Sequence, residues 1–261
     1  MEKLLRNDYR CILKSRLIPG MLLSVFLFLI SQTMSQKYLL DVYAESGESA
    51  AFKYLACNLI DCYISAFFIM VIPSFVAAFD FEAGMLRNKL IAGYSRTQIY
   101  FSNLITSFSL CLLCSLLIFI YKLIVYIGFL TPEVFVSLIR SPGAAEIMLT
   151  TILFDILVKF ALCSISLAIA MIISNRVISI FVSIALMVSC LLAGISFDIF
   201  YEPAGDLLTT IMFMNNIFIV SIAQAEGNIP IQNSAYYVGI IADILVFTSA
   251  GLFVFNRRNF K

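Results

Sequence analysis

Residues 80–105 read DFEAGMLRNKLIAGYSRTQIYFSNLI and place a charged, turn-rich segment between two long apolar runs. The charged residues of this segment are Asp80, Glu82, Arg87, Lys89 and Arg96. The flanking runs, 56–79 and 97–121, are each long enough to cross the hydrocarbon core of a bilayer, which takes about 20 residues. The segment therefore predicts a folded connection between two membrane-spanning helices.

The composition of the whole chain agrees with this interpretation. Hydrophobic residues make up 62% of the 261 residues and charged residues only 13%, and the mean hydropathy is +1.00. A soluble domain carries about 25% charged residues. The chain is therefore predicted to be an integral membrane protein.

Apolar runs predict an all-α polytopic protein in which residues 1–261 form a single transmembrane domain with six spans. The predicted spans are 17–36, 56–79, 97–121, 147–174, 177–198 and 236–255. A further uncharged run carries Asn215 and Asn216 at its centre, where amides without partners are costly. We therefore predict a re-entrant external segment over 203–228 instead of a seventh crossing.

The distribution of basic residues predicts the orientation. With six spans, most of the 17 Lys and Arg residues fall on one side, and cytoplasmic loops carry the Lys/Arg excess. Both termini and the segment 80–105 are thus predicted to face the cytoplasm. Residues 1–16 have an apolar and a basic face at helical spacing, which predicts a helix in the cytoplasmic interface. A cleaved signal peptide is the alternative, but the apolar run is long and no A-x-A site follows it.

Local signals divide the segment 80–105 into a helix, a turn and a second helix. Good helix formers predict a short helix over 81–93 with Gly93 as its C-terminal cap, and Ser95 with Gln98 forms a capping box that begins the next span. One face of the short helix is apolar, and Glu82, Arg87, Asn88 and Lys89 cover much of the rest. Such a helix suits docking on a soluble partner. The alternative is that the basic residues only hold the loop on the cytoplasmic side.

The pattern of an acid, a glycine, a basic residue and a small turn with Ser-Arg before a span resembles the permease subunits of ABC-2 type transporters. Here it consists of Glu82, Gly84, Arg87, Gly93, Ser95 and Arg96. The resemblance extends to the whole predicted architecture, and it implies that 81–93 is a coupling helix resting on an ABC ATPase subunit. The residues that it assigns to coupling are Glu82, Gly84, Arg87, Lys89, Gly93 and Arg96.

The resemblance also implies a second permease chain, identical or related, in the cytoplasmic membrane of a bacterium. It implies export of a peptide, an antimicrobial or a hydrophobic small molecule. No G-x-x-x-x-G-K-[ST] phosphate loop occurs in the sequence, so ATP and Mg²⁺ are expected on the separate ATPase. We expect this chain to be no enzyme, to bind no cofactor or metal, and to have no nucleic-acid partner. Cys111 and Cys114 form a C-x-x-C within an apolar span and are interpreted as packing residues.

Acidic residues inside predicted spans are candidates for a pathway through the membrane, because intramembrane charges are costly and often functional. They are Asp61, Asp155 and Asp243, together with Lys159, which lies one helical turn after Asp155 and can neutralise it. Asn215 and Asn216 are further pathway candidates. The acids either line a polar vestibule or face water near helix N-termini. If they carry protons, the protein is a proton-coupled secondary transporter, although no inverted repeat is evident.

Overall fold

A computed structural model describes residues 1–14, 19–20, 23, 26–27, 29–30, 62–82, 84–129, 144–200 and 234–258. Every regular element in these described residues is helical. The helices are α1 (Glu2–Leu13), α2 (Cys62–Glu82), α3 (Met85–Ile91), α4 (Arg96–Phe129), α5 (Ala144–Ile173), α6 (Arg176–Phe200) and α7 (Ser234–Arg257). Further helical residues lie between 19 and 30.

Three of these helices are long and apolar enough to cross a membrane. The qualifying stretches are Arg96–Val125 in α4, Ile152–Ile173 in α5 and Tyr237–Arg257 in α7. A fourth is added if α2 and α3, whose axes differ by 65°, are counted as one broken span. The chain is thus an all-helical membrane protein in the part described, as the composition predicted. The predicted span 17–36 is described only in part, and the predicted re-entrant segment 203–228 lies outside the described residues.

The helix α5 occupies the centre of the bundle. Of its apolar stretch 67% is buried, against 22% for α4 and 17% for α7, and it packs against α2, α4, α6 and α7. Small residues allow these close approaches. The Ser166 hydroxyl of α5 lies 3.1 Å from that of Ser74 in α2 and donates to the carbonyl oxygen of Met70 at 2.5 Å. The Ser183 hydroxyl of α6 completes a buried serine trio, 3.4 Å from Ser74. Small hydroxyl residues serve as contact points between membrane helices in this way.

The helices α5 and α7 run in the same direction with a constant register. The rings of Phe154 and Tyr237 meet edge to face with centroids 5.5 Å apart. Gly251 packs on Ala168, so closely that an added Cβ would lie 2.9 Å from the Ala168 Cβ. Both contacts join positions separated by the same number of residues, so the two helices remain level along their length. The parallel direction agrees with the predicted fourth and sixth spans.

Arginine side chains tie the helix termini together at one end of the bundle. The guanidinium of Arg258, which follows α7, donates to the carbonyl oxygens of Met171 and Ile172 at the end of α5, at 2.9 and 3.0 Å. The guanidinium of Arg96, at the start of α4, donates to the carbonyl oxygen of Asn256 at 2.6 Å. The last carbonyls of a helix lack intrahelical donors and carry partial negative charge, so both arginines act as C-terminal caps.

The guanidinium of Arg176, at the start of α6, stacks on the ring of Phe75 in α2 at 3.7 Å. Consequently α2, α5 and α7 end where α4 and α6 begin, which is the alternation expected of consecutive spans. We call this the basic end, defined by Lys89, Arg96, Arg176, Arg257 and Arg258.

The helix α1 packs against the bundle. Leu4 and Ile12 are only 2% and 4% exposed, because they are covered by the rest of the chain, and α1 packs against α4. The Tyr9 and Ser109 hydroxyls form a hydrogen bond between these two helices. The apolar face of α1 therefore packs on protein, and the location of α1 in the cytoplasmic interface stays a prediction. Its basic residues Lys3, Arg6, Arg10 and Lys14 are exposed.

Candidate functional site

Two left-handed glycines delimit the short helix at the basic end. The helix α2 continues to Glu82, Gly84 has a φ of 64°, and α3 runs from Met85 to Ile91. The predicted helix 81–93 was therefore too long at both ends, because Gly84 turns the chain between α2 and α3. Residues with a side chain rarely adopt this left-handed conformation.

The exit from α3 follows the sequence signals closely. Gly93 has a φ of 87°. Its N–H donates to the carbonyl oxygen of Leu90 at 3.0 Å, and the N–H of Tyr94 donates to the carbonyl oxygen of Lys89 at 3.2 Å. This is a Schellman motif. The predicted capping box is confirmed, since the Ser95 hydroxyl accepts from the N–H of Gln98 at 3.2 Å and the Gln98 amide oxygen accepts from the N–H of Ser95 at 3.0 Å.

The helix α3 has an inner and an outer face. Leu86 and Lys89 are buried, whereas Arg87 and Asn88 are exposed. Ile91 is 74% exposed, more than any other large hydrophobic residue in the described part of the chain. We call Arg87, Asn88 and Ile91 the outer face of α3.

Lys89 lies at the centre of a buried charge cluster. Its ammonium nitrogen is 2.7 Å from both carboxylate oxygens of Asp80 and 2.8 Å from Oδ1 of Asp8. The Ser102 hydroxyl donates to Asp8 at 2.7 Å, and the Asn103 amide donates to Asp80 at 2.9 Å. We call these five residues the Lys89 cluster. It joins α1, α2, α3 and α4, and buried charges in proteins are normally paired in this way.

The position of Lys89 corrects the sequence interpretation. We assigned Lys89 to the charged outer surface of the short helix, but it is only 5% exposed. Spacing explains the difference, because Lys89 follows Leu86 by three residues and so shares its inward face. Sequence reasoning missed Asp8 and Asp80. A signal for Asp8 was present, since it lies between Leu4 and Ile12 at four-residue spacing on the buried face of α1.

The other coupling candidates take different places. Arg87 and both glycines are exposed. Arg96 reaches across to the end of α7 and donates to the carbonyl oxygen of Arg258 at 2.7 Å. Glu82 is the last residue of α2. The coupling candidates therefore divide into those exposed at the turn and those that hold helices together.

Three of the intramembrane candidates lie within the described residues, Asp155 and Lys159 on α5 and Asp243 on the neighbouring helix α7. Asp155 and Lys159 are buried and pair with each other within α5, as their spacing predicted. Asp243 on α7 is 9% exposed, and its Oδ2 has no hydrogen-bond partner within the described part of the chain. Asp61, Asn215 and Asn216 lie outside the described residues. Among those described, no cluster of three metal-ligating side chains occurs, and Cys111 and Cys114 are free thiols.

Compared with models of known protein families, the chain matches none, and it matches no curated protein either. The functional interpretation therefore depends on the geometry of the basic end and of the bundle.

Proposed function

We propose that this chain is the permease subunit of an ATP-driven ABC transporter of the ABC-2 type. One observation carries the proposal: α3 is fixed from inside by the Lys89 cluster while its outer face projects from the bundle between two glycine turns. An exposed isoleucine beside a basic residue has the composition of an interface anchor, because apolar and Arg side chains are favoured at buried interface centres.

In this proposal the outer face of α3 docks on a separate ABC ATPase subunit, which binds ATP and Mg²⁺. The chain has six spans in the bacterial cytoplasmic membrane, with both termini and the basic end in the cytoplasm. It pairs with a second permease chain, identical or related. The cargo is an exported peptide, antimicrobial or hydrophobic small molecule, because the short predicted external loops offer no large receptor domain.

The arrangement supports a mechanical role. An ATPase can drive the membrane helices only if its nucleotide states differ in affinity for the two permease conformations. The helix α3 is joined to α1, α2 and α4 by the Lys89 cluster, and Arg96 joins the start of α4 to the end of α7. A displacement of α3 would therefore be passed to several helices as rigid bodies.

The test is affinity capture from native membranes with the full chain as bait, followed by mass spectrometry. We expect an ATPase with a phosphate loop, and we expect Arg87→Glu and Ile91→Asp each to reduce its capture at least about tenfold, as for interface anchors. Asn256→Ser is the matched control, because Asn256 is an exposed residue of the same basic end. Undiminished capture by both outer-face variants would contradict docking at α3, and capture of no ATPase would contradict the function.

The burial of Asp243 supports a second candidate function, that of a proton-coupled secondary transporter. A buried carboxylate oxygen without a partner in the described residues is a candidate proton carrier. The Asp155–Lys159 pair is less suited to this role because each charge is already neutralised. Transport that stops when the proton gradient is collapsed, and that is lost in Asp243→Asn without any ATPase partner, would support this candidate over the first.

A further inference from the structure

The Lys89 cluster joins α1, which is distant in the sequence, to the consecutive helices α2 and α3. Asp8 belongs to α1, Asp80 to the end of α2, and Lys89 to α3, and the two ion pairs have nitrogen–oxygen distances of 2.8 and 2.7 Å. Asp8 and Asp80 are each 3% exposed. The contact between α1 and α3 is thus made by charges that water does not screen.

The cluster is also held from a fourth side. Ser102 and Asn103, neighbours on α4, each donate to one of the two carboxylates. These bonds fix the orientation of both acids, and the acids fix the ammonium between them. Separating Asp8 from Lys89 would leave a buried charge with fewer partners, which is strongly disfavoured. The geometry therefore favours α1 and α3 remaining in one relative position.

From this arrangement we propose that Lys89 is a positioning residue. It does not touch a partner itself, but it sets the direction in which the outer face of α3 points, and through Asp8 it makes α1 part of the same rigid element. A role of this positioning in coupling the chain to an ATPase rests on the proposed function. The positioning itself is a property of this chain and can be tested without any partner.

The competing explanation is that apolar packing alone fixes α3. Leu86 is 5% exposed on the inner face of α3 and Leu4 is 2% exposed on α1, and both belong to the main hydrophobic core. If packing is sufficient, the charges of the cluster can be removed together without changing the position of α3. If the ion pairs are required, a neutral cluster will leave α3 mobile relative to α1.

The experiment measures the distance between α1 and α3 by pulsed electron paramagnetic resonance on the full chain in lipid nanodiscs. Spin labels are placed at Asn7→Cys and Asn88→Cys, both exposed positions, in a background that lacks the seven native cysteines. We expect one narrow distance distribution with the cluster intact. In Lys89→Met we expect the distribution to broaden at least about twofold, because the two buried carboxyl groups lose the cation that holds them and α3 together.

Since Lys89→Met can fail to fold, a neutral variant provides the deciding measurement. The triple variant Asp8→Asn, Asp80→Asn and Lys89→Met keeps the side-chain volumes and leaves no buried charge. We expect it to unfold at a temperature close to that of the parent but to show the broad distribution. Lys89→Arg, which keeps the positive charge, should recover part of the narrow distribution.

A narrow distribution in the folded triple variant would overturn the proposal and assign the position of α3 to packing. A broad distribution there, with recovery in Lys89→Arg, would support it. This result is independent of the capture experiment. If the distribution broadens and no ATPase is captured, the positioning role stands and only its use in an ABC transporter is removed.

Discussion

The buried lysines Lys89 and Lys159 both pair with aspartates, but they do so over very different distances in the sequence. Lys159 pairs with Asp155 one turn earlier in α5, whereas Lys89 pairs with carboxylates of α1 and α2. Both lysines are 5% exposed. The first pair lies within a single helix, and the second joins three helices, α1, α2 and α3. Burial alone therefore does not distinguish an ion pair that follows from helix geometry from one that defines the tertiary structure.

The two sites also differ in the acids that surround the lysine. Lys159 pairs with Asp155, which has a further interaction of its own. Lys89 faces two carboxylates, which leaves the cluster with one negative charge in excess when all three groups are ionised. Hydrogen bonds from Ser102 and Asn103 offset part of that excess. Replacing the lysine should therefore lower the free energy of unfolding more at the Lys89 cluster than within α5.

The largest effect is expected for Lys89→Met, which leaves two buried carboxylates without their cation. Breaking a buried ion pair costs about 3–5 kcal/mol, and we expect the upper end here. Chemical denaturation of the purified chain in detergent measures the free energy of unfolding. Arg87→Met, on the exposed side of the same helix, is the control and should stay within about 0.5 kcal/mol. Similar losses for both variants would contradict the division of α3 into two faces.

A smaller loss, about 3 kcal/mol, is expected for Lys159→Met, because one buried carboxylate loses its lysine instead of two and Asp155 keeps a further interaction. The same denaturation measurement applies. The double variant Asp155→Asn with Lys159→Met removes both charges and should recover most of the loss. Equal losses in the free energy of unfolding for Lys159→Met and Lys89→Met would contradict the expectation that the second carboxylate at the Lys89 cluster adds to the loss.

The contact between α5 and α7 at Gly251 involves no charge. Its contribution to the free energy of unfolding therefore depends on how closely the two helices fit. A Cβ at Gly251 would lie 2.5 Å from the Tyr100 hydroxyl and 2.9 Å from the Ala168 Cβ. We expect Gly251→Ala to lower the free energy of unfolding by about 2 kcal/mol, the usual range for overpacking being about 1–3 kcal/mol. Gly128→Ala is the matched control on α4, where an added Cβ meets nothing within 4 Å. No loss in Gly251→Ala would indicate that α5 and α7 separate easily.

The smallest effect concerns a local polar contact, the capping box at the start of α4. Ser95→Ala removes the hydroxyl that accepts from the Gln98 N–H and should cost about 1 kcal/mol. Hydrogen exchange of the first amides of α4 would report the change directly. Thr97→Ala, at an exposed neighbouring position, should leave that exchange nearly unchanged. Equal exchange in Ser95→Ala and the parent would show that tertiary packing alone fixes this terminus.

Sequence reasoning succeeded where the deciding interaction is local. The capping box, the turn at Gly93 and the Asp155–Lys159 pair are each contained within a few residues, and each is present as predicted. The three helices that are long and apolar enough to cross a membrane also followed from hydropathy. Locality also explains the error at Gly84, since a glycine within good helix formers does not by itself reveal a left-handed turn.

The Lys89 cluster escaped prediction because Asp8 is distant in the sequence and Asp80 lies on the other side of the turn at Gly84. Asp8 and Lys89 meet because α1 packs on α4 and the chain bends by 65° between α2 and α3. A charged residue on a helix that also has exposed charges is ordinarily assigned to solvent. Only the position of Asp8 on the buried stripe of α1 indicated otherwise, and it did not identify the partner.

The caps at the basic end have a consequence for the order in which the protein is completed during synthesis. The carbonyl oxygens of Met171 and Ile172 receive their donors from Arg258, a residue that the ribosome adds only after α7. Until then the end of α5 must be hydrated or otherwise bonded, although α5 is the central helix of the bundle. The basic end is therefore expected to close last, when α7 enters the membrane beside a helix that was inserted well before it.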